Sequence, residues 1–70
     1  MIKFENKSNG RFYYLKIESD MLNECILRIF FGGQNISRVR TVSYDSKDAI
    51  QKEIERLSKR RIKRGYEIVT

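Results

Sequence analysis

At 70 residues, 40% apolar and 34% charged, the chain is one domain at most, which excludes a large core and also a disordered polyelectrolyte. The absence of histidine and the single cysteine exclude an intrachain disulfide, a Cys/His zinc cage and a histidine-based hydrolytic triad. The formal net charge is +6, and residues 46–70 hold eight basic side chains against four acidic ones, a bias that suits a polyanionic partner.

In chain order, Ile2–Glu5 alternates apolar and polar and predicts a short first strand. Asn6–Gly10 is turn chemistry, with Asn9 and Gly10 able to take positive φ cheaply. Arg11–Glu18 predicts a half-buried strand with Tyr13, Leu15 and Ile17 on one face and Phe12, Tyr14, Lys16 and Glu18 on the other. Ser19–Asn23 reads as a connection. Glu24–Phe31 predicts a strand in which Cys25, Leu27, Ile29 and Phe31 share a face while Arg28 points the other way. Gly32 and Gly33 follow, suited to a tight turn or a close backbone approach. Ile36–Tyr44 is β-branched and alternating, with Arg38, Arg40, Val42 and Tyr44 on one side.

The period then changes. A capping side chain in Asp45–Lys47 and apolar residues Ala49, Ile50, Ile54, Leu57 and Ile62 at three- and four-residue steps predict a helix over 46–64, closed by Gly65. Ile50, Ile54 and Leu57 fall in a narrow arc, with Ile62 at its edge. Tyr66–Val69 reads as a last strand or an extended tail. A helix with one apolar stripe and a one-sided sheet bury each other when the helix lies across the sheet.

Two cationic groups stand out. Lys59, Arg60, Arg61, Lys63 and Arg64 crowd the end of the helix, where basic side chains offset the macrodipole and also suit phosphate contacts. Lys52, Arg56, Lys59 and Lys63 fall opposite Ile50 and Ile54, with Arg60 at the margin. Arg38 and Arg40 are neighbours on one side of a strand, a repulsion that an anion between them relieves. Together with Arg28, Phe31 and Tyr66 they make the mixture closest to a binding site. The carboxylates are scattered, and Gly32–Gly33 lacks the Lys-Ser/Thr of a phosphate-binding loop, so no enzyme site and no cofactor are expected. Cys25 reads as a buried, reduced thiol. The N-terminus has no apolar run of signal-peptide length and no segment is long enough to span a bilayer, so a cytoplasmic location is the expectation.

The order of these pieces resembles a WGR domain, the small module of poly(ADP-ribose) polymerases and bacterial proteins. The matching pieces are Phe12–Leu15, Leu27–Gly33, Gln34, Arg38–Tyr44, Asp45–Ala49 and Arg61–Tyr66, within a run from Arg11 to Tyr66 that spans about four-fifths of the chain. The signature Trp-Gly-Arg stands here as Phe31, Gly32 and Gly33. The resemblance implies an antiparallel sheet with one helix on it and a nucleic-acid-binding role. It places Phe31 where the signature Trp stacks and Tyr66 at the tyrosine after the helix. Gly33 removes the donor fork of the signature Arg.

The resulting expectation is a single α+β domain spanning 1–70, an antiparallel sheet of four to five short strands with one helix across one face. Its expected function is non-enzymatic binding of nucleic acid, DNA in preference to RNA, by backbone or end contacts rather than sequence readout. Phe31, Arg38, Arg40 and Tyr66 form the expected site, with Lys59, Arg60 and Lys63 as electrostatic support. The alternative is a protein-interaction or self-association module, including a small regulator of a protein partner, for which an exposed Phe30 on the sheet face away from the helix would speak.

Overall fold

The computed structural model describes residues 1–19 and 25–69. The element order is β1 (Ile2–Asn6), β2 (Arg11–Glu18), β3 (Ile26–Gly33), β4 (Ile36–Ser43), α1 (Lys47–Lys63) and β5 (Glu67–Ile68). The strands form one antiparallel sheet in the order β4-β3-β2-β1-β5, so the α+β architecture expected from the alternation patterns is the one observed. Most of the connection expected at Ser19–Asn23, and the Glu24 start expected for the third strand, lie outside the described residues.

Register fixes which side chains share a face. Phe4 pairs with Tyr13, Tyr13 with Phe31 and Phe31 with Arg38; Leu15 pairs with Ile29 and Ile29 with Arg40. These residues therefore stand on one face of the sheet, the face that carries the helix. Phe4, Leu15, Leu27 and Ile29 from the sheet close on Ile50, Ile54 and Leu57 from α1, all seven buried. At about 1.5–3 kcal/mol for each fully buried large side chain, this cluster holds the domain together. Cys25 is buried as expected of it. Ile62, expected at the edge of the helical stripe, is 51% exposed instead. Its place in the stripe is taken by Arg61, four residues after Leu57.

The helix begins where Ser46, in extended conformation, accepts a hydrogen bond from the Ala49 N–H at 3.1 Å, with Asp48 in the first turn. It ends in a Schellman arrangement. Gly65 takes φ +91° and its N–H bonds to the Ile62 carbonyl, while the Tyr66 N–H bonds to the Arg61 carbonyl at 3.0 Å. The reversal sends the chain into β5, which pairs with β1 on the edge opposite β4.

That connectivity makes the helix cross the sheet obliquely. It starts beside the end of β4, where the Tyr44 N–H bonds to the Cys25 carbonyl, and finishes beside the β1–β2 turn, where Asn6 Nδ2 donates to the Arg64 carbonyl. The corner of the helix-bearing face next to the β3–β4 turn is left uncovered. Arg38 and Arg40 sit on that corner and are exposed, although they share a face with the core.

Candidate functional site

The uncovered corner and the second half of α1 enclose a groove of about 900 Å³. Its sheet wall carries Tyr13, Phe31, Arg38 and Arg40, and its helix wall carries Arg56, Arg60 and Arg61, with Tyr66 closing the end. Phe31, Arg38, Arg40, Arg60 and Tyr66, five of the seven residues expected from the sequence, are thus brought together. Lys59 and Lys63 do not line the groove; they are exposed on the helix. Arg28 is elsewhere as well. It stands on the open face of the sheet, where it pairs with Glu18 at 3.2 Å. Strand alternation separates it from Phe31 by an odd number of steps, and register keeps it there.

Arg11, Tyr13, Arg56 and Arg61 also line the groove, outside the expected site. Arg11 and Tyr13 enter because β2 runs beside the end of β3. Arg56, placed on the solvent face by helical angle, flanks the stripe one turn before Arg60 on the side toward β4, and its long side chain reaches the groove. Arg61 carried a readable signal, a charged residue four positions after Leu57 on a stripe otherwise apolar.

Arg61 is held between rings. Its guanidinium carbon lies 4.2 Å from the Tyr13 ring centroid and 5.3 Å from that of Tyr66. The Schellman turn supplies the second contact, because it returns Tyr66 over the last turn that contains Arg61. The Arg61 Nε is buried without a hydrogen-bond partner. Tyr13 is itself tilted against Phe31, ring centroids 6.2 Å apart. Burial pushes the Tyr13 hydroxyl above the ordinary phenol range, opposed by the positive charges of Arg61, Arg40, Arg56 and Arg60. Four guanidinium groups therefore surround one phenol.

Charge balance in the groove is one-sided. Arg56 pairs with Glu53, whose other oxygen accepts from the Tyr44 hydroxyl at 3.3 Å. The bond from Arg56 holds Glu53 below the usual carboxylate range, against the opposing effect of burial. Among the described residues, Arg11, Arg38, Arg40, Arg60 and Arg61 make no ion pair. The open face differs. There Glu18 binds both Lys16 and Arg28, Tyr14 donates to Glu5, and Lys3 lies 5.5 Å above the Tyr14 ring.

The two glycines do different things. A Cβ on Gly32 would run into the Ile36 carbonyl, so Gly32 lets the β3–β4 hairpin close tightly around Gln34 and Asn35. The close approach is within the chain. A Cβ on Gly33 would meet only the Arg11 Cγ, at 3.7 Å, an ordinary contact, and Gly33 does not take positive φ.

Among the described residues, no three His, Cys, Asp or Glu side chains gather to hold a metal ion, and no helix is long and apolar enough to cross a membrane. No family model matches the chain, and no characterised protein or solved structure shows significant similarity to it.

Proposed function

We propose that this domain is a non-enzymatic nucleic-acid-binding module whose groove takes the phosphate backbone. The observation that carries the reading is the convergence of five arginines without ion-pair partners on a wall that also presents Tyr13, Phe31 and Tyr66. Guanidinium groups fork onto phosphate oxygens, and like charges this close cost free energy until a polyanion neutralises them. The resemblance to WGR domains supports the same reading through Phe31, Gly32 and Tyr66, and DNA is the nucleic acid it favours. A cytoplasmic location fits that ligand.

Titration of a labelled oligonucleotide at two salt concentrations tests it. Binding should weaken steeply with salt, and Arg38→Ala combined with Arg40→Ala should lower affinity at least tenfold at low salt. Unchanged affinity in the double variant removes the assigned site.

A second reading rests on the open face. Phe12, Tyr14 and Phe30 line a shallow depression of about 370 Å³ there, and Val39 beside them is 57% exposed. An apolar surface next to the exposed edge of β4 suits a protein partner or a second copy. Recovery of a bound protein from nuclease-treated extract, lost on Val39→Lys, would support it.

A further inference from the structure

We infer that the groove selects unpaired nucleic acid, with one base stacked inside it and the flanking phosphates held on its arginines. The inference rests on the nucleic-acid reading and narrows it to one physical form of the ligand.

The rings and the guanidinium groups occupy the same concave wall. Tyr13, Phe31 and Tyr66 lie within the groove, not on a convex surface beside it. A ligand that uses the whole wall must bring a planar apolar surface and negative charge in one piece. A duplex brings its charge outside and keeps its bases stacked within, so its phosphates would reach the arginines while the exposed parts of the rings met no base. An unpaired nucleotide carries a free base face beside its phosphates, the combination that single-strand sites use.

Three further features agree. The groove, at about 900 Å³, is near the upper end of clefts that enclose whole small molecules, roughly 300–1,000 Å³. Gln34 and Asn35 line its rim and are exposed, so their amides offer donors and acceptors to a base edge. The Arg61 guanidinium, its carbon 4.2 Å from the Tyr13 ring centroid and 5.3 Å from that of Tyr66, adds a charged planar group to the aromatic wall. The other aromatic surface, on the open face, offers no comparable charge, because Glu18 pairs with both Lys16 and Arg28 there.

The experiment compares one short labelled sequence as single-stranded DNA, as single-stranded RNA and as a blunt DNA duplex, at low and moderate salt. The expected result is at least tenfold tighter binding of a single strand than of the duplex. Phe31→Leu should then weaken single-strand binding about tenfold, within the range known for one base–ring stack, and leave duplex binding within about twofold. Phe31→Tyr keeps a ring of nearly the same shape and should bind like the wild type, which separates loss of stacking from loss of folding. Duplex binding as tight as single-strand binding, or Phe31→Leu without effect on a single strand that still binds, overturns the inference and leaves the nucleic-acid reading standing. Binding of none of the three at low salt overturns both. The DNA and RNA arms identify the sugar that the groove accepts.

Discussion

The Arg61 guanidinium carbon lies over the Tyr13 ring, 4.2 Å from its centroid, in a helical position that the stripe of Ile50, Ile54 and Leu57 reserves for an apolar side chain. Its aliphatic stem completes the core stripe and its head enters the groove. Two jobs fall on one residue, and substitutions can separate them. Arg61→Ala loses packing on both tyrosines and should destabilise the fold by about 1 kcal/mol, close to the worth of a partly exposed cation–π contact. Arg61→Leu restores an apolar side chain to the stripe and should leave stability equal or higher, while lowering oligonucleotide affinity about as much as Arg61→Ala. Urea denaturation alongside titration distinguishes the two effects; full affinity in Arg61→Leu would show that the head group contributes nothing to binding.

The two glycines of the β3–β4 hairpin predict opposite outcomes. Gly32→Ala forces a methyl group against the Ile36 carbonyl, so the hairpin must open, at a cost of about 2 kcal/mol or more. Gly33→Arg meets only the Arg11 side chain and should change stability by less than about 0.5 kcal/mol. It also adds a guanidinium fork to the groove wall. Affinity for an oligonucleotide should rise severalfold, and the slope of log affinity against log salt should steepen by about 0.7–0.9, the effect of one added phosphate contact. Gly33→Arg that folds normally but binds no better would place the ligand away from the hairpin.

Much of the fold was legible because its two periods are clean. Alternation gave β1 to β4 to within a residue or two where they are described, and three-four spacing gave the helix to within one residue at each end. Each side of each strand could be written down from the sequence, but the register that pairs Phe31 with Arg38 comes from the β3–β4 hairpin of the fold. The oblique crossing of the helix could not be read, because it depends on where β5 docks. Only two residues of β5 pair with β1, a signal too short to place an edge. That crossing decides that Arg56 and Arg60 face the sheet corner while Lys59 and Lys63 face solvent. Ile62, read at the edge of the stripe, lies outside it and is exposed, while the helical angle sets Arg61 on the stripe after Leu57.

Asn6 joins the β1–β2 turn to the end of the helix. Buried to 7% exposure, it accepts from the Ser8 N–H at 3.0 Å and donates to the Arg64 carbonyl. Asn6→Leu keeps the volume but strands both backbone groups, and a buried group left unpaired costs about 1–3 kcal/mol. The loss should fall most heavily on the C-terminal turn of α1, and with it on the placement of Arg61 and Tyr66. Amide hydrogen exchange should therefore accelerate at Gly65 and Tyr66 more than at Ile50. Uniform acceleration along the helix would mean that Asn6 acts only on global stability.

Glu53 gives the fold a pH dependence whose sign is fixed. Its carboxyl is held below the usual range, chiefly by the bond from Arg56 and further by the Tyr44 hydroxyl, although burial opposes both. A carboxyl with a depressed folded pKa binds fewer protons folded than unfolded near the ordinary carboxylate value. Stability therefore rises with pH through that window. The contribution is complete above the unfolded value of 4.5 and is lost as pH falls through the lower folded value. Glu53→Gln keeps an acceptor for Tyr44 but removes the titration, so its unfolding midpoint should fall less than the wild type's on acidification from pH 6 to pH 3. Denaturation curves at several pH values measure this directly. Parallel acid profiles for the two proteins would mean that the Arg56–Glu53–Tyr44 chain is too well solvated to stabilise the junction between β4 and α1.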